Sequence, residues 1–108
     1  IIGGGDYGIA AQLMKRKGIN NITIVEIDSE VVAISKKYFP KNFQQNKSKI
    51  ERIRLVQEDG MLFLKNNNTR YNCIIIDSTD PIGYAKVLFS KSFLNKCYSA
   101  LSSNGISL

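Results

Sequence analysis

A chain of 108 residues, 44% hydrophobic and 22% charged, can bury one modest core, which excludes a disordered or low-complexity protein and leaves room for a single domain. The net charge is +6, but the cations are scattered over Lys15-Arg16-Lys17, Lys36-Lys37, Lys47, Lys49, Arg52 and Arg54, at helix ends and in loops. A nucleic-acid partner is therefore not expected. Two cysteines without CxxC spacing and no His exclude a zinc site, and no apolar run approaches the roughly 18 residues that span a membrane.

In chain order, Ile1-Ile2 reads as the end of a first strand and Gly3-Gly4-Gly5-Asp6-Tyr7-Gly8 as a glycine-rich turn. A helix to about Lys17 follows, with Ile9, Leu13 and Met14 on one face and Gly18 as its stop. Ile22-Thr23-Ile24-Val25 is a β-branched second strand ending at Glu26-Ile27-Asp28. Ser29 is a candidate cap for the next helix. Val31, Ile34, Ser35 and Tyr38 fall on its inner face and Pro40 ends it. Residues 41–50 are polar and predict a loop. Ile53 to Val56 predicts a third strand ending at Glu58-Asp59-Gly60, with a short helix over 61–65 and a loop at Asn66-Asn67-Asn68.

Cys73 to Ile76 predicts a fully buried fourth strand. A loop through Ser90 leads to a helix with Phe93, Cys97, Ala100 and Leu101 inward, and Asn104-Gly105 turns into a last strand. Both thiols are expected to be reduced and buried, as in a cytosolic protein. Strands alternating with helices imply an α/β fold, one doubly wound, mostly parallel sheet. The chain starts without Met and stops at Leu108 in mid-pattern, so it is expected to be one Rossmann-like domain truncated at both ends.

The chemistry concentrates at strand ends. Of nine acidic residues, five (Asp6, Glu26, Asp59, Asp77 and Asp80) stand just past a predicted strand, where open α/β sheets bind ligands. Such a pocket suits a ligand with positive charges and ribose hydroxyls. Gly3, Gly5 and Gly8 meet the G-x-G-x-x-G spacing, a pattern shared by dinucleotide enzymes and methyltransferases. Asp6 within the loop repels a pyrophosphate, which argues against NAD or ATP, and would welcome an ammonium. Glu26 lies about 20 residues further on, where an acid accepts both ribose hydroxyls. Asp28 is read as support for the following helix. Asp59 can accept from an adenine amino group, cap the helix after it, or do both. Asp77 and Asp80 are the candidates for the chemical step.

The segments Ile1-Ile2-Gly3-Gly4-Gly5-Asp6, Val25-Glu26-Ile27-Asp28, Ser35-Lys36-Lys37-Tyr38-Phe39-Pro40, Glu58-Asp59-Gly60 and Asp77-Ser78-Thr79-Asp80-Pro81-Ile82-Gly83, with Leu88-Phe89, resemble the spermidine synthase family of aminopropyltransferases. The resemblance implies the central part of a Rossmann-like, methyltransferase-type domain, with an N-terminal β domain and a C-terminal remainder absent. It implies transfer of an aminopropyl group from decarboxylated S-adenosylmethionine, a co-substrate, to putrescine. The products would be spermidine and methylthioadenosine, with no metal and no cofactor. It assigns the donor's ammonium to Asp6, the ribose to Glu26 and the adenine to Asp59 with Gly60. Asp77 is implied as the base at the attacking amine, and Asp80 as a ligand of the donor ammonium or the acceptor.

The resemblance further implies small-molecule substrates only, a cytoplasmic location, a homo-oligomer in the full-length protein, and an inactive isolated fragment. The alternatives are an S-adenosylmethionine-dependent N-methyltransferase on the same scaffold and a non-catalytic binder of nucleoside or polyamine. Two positions depart from the family, which usually has Gly where Tyr7 stands and often Pro where Tyr84 stands.

Overall fold

Short apolar runs form the strands, and these pair in parallel. The computed structural model describes residues 1–44, 47–77 and 90–108. Its strands are β1 (Ile2–Gly3), β2 (Ile22–Val25), β3 (Ile53–Val56), β4 (Tyr71–Ile74), β5 (Ile76–Asp77) and β6 (Leu101–Ser107). One sheet has the order β3-β2-β1-β5, and β4 pairs with β6 in a second. The two are continuous, because β4 and β5 are separated only by Ile75. The Ile75 carbonyl accepts from the Ile2 N–H at 2.8 Å, and the Ile76 N–H donates to the Leu108 carbonyl at 2.8 Å. The chain adds β2 and β3 on one side of β1 and then returns to its other side. The switch point of the sheet thus lies between β1 and β5, where Gly3 stands opposite Asp77.

Helices cover both faces. They are α1 (Gly8–Leu13), α2 (Ser29–Tyr38), α3 (Lys47–Ile50), α4 (Gly60–Asn66) and α5 (Lys91–Ala100), with a 3-10 turn at Pro40–Phe43. Ile22 and Ile24 of β2 pack with Tyr7, Ala10 and Met14 on the α1 side. Val25 points the other way, into a core of Ile2, Leu64, Ile74, Phe93, Cys97 and Ala100. The two-residue alternation of a strand buried on both sides accounts for the unbroken apolar run. Among the described residues no helix is long and apolar enough to cross a membrane.

Several local expectations need correction. Helix α1 stops at Leu13, short of Lys17; Met14 caps it and Gly18 turns the chain at φ 89°. The cap of α2 is Asp28, whose carboxylate accepts from the Glu30 N–H at 2.9 Å, while Ser29 is the first helical residue. Asp28 thus supports the helix start, as its position implied. The supposed inner stripe of α2 faces outward at Ile34 and Tyr38, and Ser35 alone is buried. Residues 41–50 are not plain loop, since the 3-10 turn that begins at Pro40 runs into them and α3 falls within them. Cys73 is exposed, so the fourth strand is not buried throughout. Leu101 opens β6 rather than closing the helix, pairing with Tyr71; the register then shifts before Cys73 meets Ile106. The expected turn at Asn104-Gly105 is absorbed inside the strand by that irregularity.

Candidate active site

The glycine loop is built for close approach. Gly3 and Gly4 have φ of 85° and 75°, a region that L side chains rarely adopt. A methyl on Gly3 would collide with the Asp77 carbonyl. One on Gly4 would lie 2.9 Å from Ile1 Cγ2 and 3.5 Å from Asp77 Oδ2. The carboxylate of Asp77 therefore hangs over the loop at the switch point. The Tyr7 N–H closes the turn onto the Gly4 carbonyl at 3.0 Å.

Tyr7 also has positive φ, 64°, the single non-glycine case among the described residues. Such a backbone costs about 1–3 kcal/mol. Burial compensates: the side chain is 8% exposed, and its ring centroid lies 4.5 Å from that of Phe43 at an interplanar angle of 31°. The ring belongs to the apolar core beside α1. Burial also pushes its phenol above the usual pKa.

Three of the site acids have a defined local partner. Asp6 Oδ1 accepts from the Gly8 N–H at 2.9 Å, tying the loop to the start of α1. The Glu26 carboxylate spans two turns, Oε1 accepting from the Gly5 N–H at 3.1 Å and Oε2 from the Asp28 N–H at 3.2 Å. Asp59 Oδ1 accepts from the Leu62 N–H at 2.9 Å and caps α4, where Gly60 is buried at the first position. The end of β3 is joined to that of β2 through the Glu58 N–H and the Glu26 carbonyl at 3.2 Å. Gly3, Gly5, Asp6, Glu26, Asp59, Gly60 and Asp77 thus gather at the carboxyl end of the parallel strands. Asp80 lies outside the described residues, as do Pro81, Gly83, Tyr84, Leu88 and Phe89. Among the described residues no three His, Cys, Asp or Glu side chains are grouped to hold a metal ion.

Sequence reasoning missed one contributor. The Asn42 side chain donates from Nδ2 to the Asp6 carbonyl at 3.1 Å, beside the Tyr7–Phe43 ring contact. Pro40, a favoured first residue for a short helical turn, was the available signal.

Fold and site together define an α/β domain of the Rossmann-like methyltransferase type, with acids ranged along its ligand-binding edge. The family model of the spermine/spermidine synthase domain matches residues 1–108, and the chain belongs to that family. It is 46% identical over 106 residues to a polyamine aminopropyltransferase of Clostridium botulinum (strain Eklund 17B / Type B), covering 98% of this chain and 37% of that protein. A polyamine aminopropyltransferase of Buchnera aphidicola is 44% identical over the same shares. The chain thus spans little more than a third of the length of these curated relatives. A crystal structure of spermidine synthase in complex with the transition state analogue AdoDATO superposes with a TM-score of 0.85 at 30% identity, over 98% of this chain and 36% of that one. Human methyltransferase-like protein 13 in complex with SAH shares the fold, with a TM-score of 0.73 at 22% identity over 98% of this chain and 50% of that one.

Proposed function

We propose that this chain carries the donor-binding and catalytic edge of a polyamine aminopropyltransferase. The reaction is transfer of an aminopropyl group from decarboxylated S-adenosylmethionine to putrescine. One observation carries the reading: Asp77 stands at the switch point over a glycine loop that itself bears an acid, Asp6. The names of the 46% and 44% identical relatives support it.

Decarboxylation leaves the donor with a sulfonium, an ammonium and no carboxylate. Such a ligand favours an acid in the glycine loop, whereas intact S-adenosylmethionine would bring its own carboxylate toward Asp6. Asp6 holds the ammonium, Glu26 the ribose hydroxyls, and Asp59 with Gly60 the adenine, while Gly3 and Gly5 let the ligand lie against the backbone. A free amine has a pKa of about 10, close to that of Lys, and so arrives protonated and non-nucleophilic. Asp77 accepts a proton from the attacking nitrogen. The nitrogen lone pair then bonds to the carbon beside sulfur, the carbon–sulfur bond breaks, and its electron pair stays on sulfur. Neutral methylthioadenosine leaves. The sulfonium is already a good leaving group, so neither a metal nor a covalent enzyme intermediate is needed. Asp80 is kept, on sequence grounds, for the donor ammonium or the acceptor.

The full-length protein is proposed to act in the cytoplasm as a homo-oligomer on small molecules, with no nucleic acid or membrane partner. The 108-residue chain alone is expected to be inactive. The test is to incubate the full-length protein with decarboxylated S-adenosylmethionine and a mixture of putrescine, cadaverine, agmatine and spermidine, and to identify the products by mass spectrometry. Gain of one aminopropyl unit on one amine supports the proposal and names the acceptor. Methylation after S-adenosylmethionine is supplied would replace it with methyl transfer.

A further inference from the structure

We infer that the turn Pro40–Phe43 is a latch on the glycine loop, with Asn42 and Phe43 acting as positioning residues for Asp6; this rests on the proposal that Asp6 meets the donor's ammonium. The loop is anchored at its first half by Glu26, which accepts from the Gly5 N–H at 3.1 Å. Its second half, Asp6 and Tyr7, needs a separate restraint. There the backbone passes through the left-handed region at a residue that is not glycine, φ 64° at Tyr7, a conformation that persists only where the surroundings enforce it.

Local bonds hold it in part, through the Tyr7 N–H on the Gly4 carbonyl and the Gly8 N–H on the Asp6 carboxylate, and the remaining restraint comes from a turn 36 residues away in sequence. Asn42 Nδ2 donates to the Asp6 main-chain carbonyl at 3.1 Å, in a partly buried setting. Phe43 stacks on the Tyr7 ring, centroids 4.5 Å apart, and joins the same apolar core. One contact fixes the peptide plane that follows the Asp6 Cα, and the other fixes the side chain of the next residue. The turn is itself aimed by its ends. Phe39 leaves α2 with irregular dihedrals (φ −127°, ψ 54°), Pro40 starts the turn, and the Asn42 N–H closes on the Phe39 carbonyl at 3.1 Å. Asp6 Oδ1 is engaged by the Gly8 N–H at 2.9 Å, so the direction of the carboxylate follows from where the latch holds its backbone. Tyr7 becomes part of this device: a ring at that position gives Phe43 a surface to grip.

The prediction is selective. A carboxylate moved off target weakens a ligand that carries the ammonium and spares one that lacks it. In the full-length protein, Asn42→Leu removes the amide donor at similar volume. It should raise KM for decarboxylated S-adenosylmethionine by about tenfold, the worth of one hydrogen bond. Inhibition by methylthioadenosine, which has no ammonium, should stay within about twofold, and Asn42→Gln should recover part of the loss. If Asn42→Leu does not fold, Phe43→Leu carries the same comparison. Equal weakening of both ligands, or no change in either, overturns the latch. Should the wild-type protein transfer no aminopropyl group, the proposed function fails while the latch is still judged by amide hydrogen exchange at Gly5 to Gly8. Faster exchange in Asn42→Leu than in wild type then supports it, and unchanged exchange overturns it.

Discussion

Gly5 and Glu26 are locked together at the mouth of the site. The Gly5 N–H donates to Glu26 Oε1 at 3.1 Å, and a methyl on Gly5 would lie only 2.6 Å from Glu26 Cγ. The obstructing atom is the second side-chain carbon, so the whole carboxylate must swing aside. Gly5→Ala should therefore release Glu26 from both Gly5 and Asp28, at an overpacking cost of about 1–3 kcal/mol. In the full-length protein, affinity for methylthioadenosine should fall by at least tenfold, about 1.4 kcal/mol. Calorimetric titration of the variant against wild type reads this directly. Unchanged affinity would detach Glu26 from the ribose.

Asp77 stands at the end of β5 opposite Gly3. Asp77→Asn keeps size and hydrogen-bonding shape but takes no proton from an ammonium. The expected outcome is a loss in kcat of roughly 10²–10⁴, the usual worth of general-base catalysis. Binding of methylthioadenosine should change by less than about threefold, because the group acts in the transition state rather than on the bound product. Single-turnover rates with a separate titration of the product distinguish the two effects. A variant that loses affinity and rate together would make Asp77 a binding residue.

The parts of the fold legible in sequence are those set by local chemistry. Ile22 to Val25 was legible as a strand from its β-branched residues, and of the three glycines read as turn formers, Gly3 occupies positive φ while Gly4, between two of them, is the other loop glycine that does. Once strand ends were known, Asp6, Glu26 and Asp59 followed just beyond them and Asp77 at the last position of β5, whereas Asp80 lies outside the described residues. Other features depend on distant chain. Asp28 and Ser29 are equally good capping types, and the actual geometry chose Asp28. A four-residue apolar run does not reveal that Cys73 is left uncovered while Ile74 is buried. The polar stretch after Pro40 carries no periodic signal, yet its Asn42 and Phe43 hold the glycine loop. Tyr7 was legible as a departure but not in its direction, which the ring of Phe43 decides.

Asp59 carries two roles that one pair of variants separates. Its side chain caps α4 through the Leu62 N–H at 2.9 Å, and its carboxylate is proposed to meet the adenine amino group. Asp59→Ala should lose both, with stability falling by about 1 kcal/mol. Asp59→Ser retains a capping oxygen, so stability should stay within a few tenths of a kcal/mol, roughly the spread among good capping residues. Its nucleoside affinity should still drop, because a hydroxyl carries no charge to strengthen the hydrogen bond. Thermal unfolding and methylthioadenosine titration on the same samples separate the roles. If Asp59→Ser binds like wild type, the acid is a cap alone.

The two thiols should behave as opposites. Cys97 is 1% exposed in the core beneath α5, and burial pushes its thiol up to about 11, whereas Cys73 is exposed. The thiolate is the reactive form, so in the 108-residue chain iodoacetamide near pH 8 should label Cys73 and spare Cys97 until denaturant is added. The same burial makes stability depend on alkaline pH. Folding holds the Cys97 proton beyond the point where the unfolded chain, with a pKa near 9, releases it. Between these two values the unfolded state binds fewer protons, so stability is fully present below about pH 9 and declines as pH rises toward 11. Cys97→Ala removes this dependence at the cost of a small cavity. Urea midpoints measured from pH 8 to 11 should therefore fall more steeply for wild type than for Cys97→Ala. Parallel slopes would mean that Cys97 titrates as it does in the unfolded chain, and rapid labelling of Cys97 under native conditions would mean that the core opens at α5.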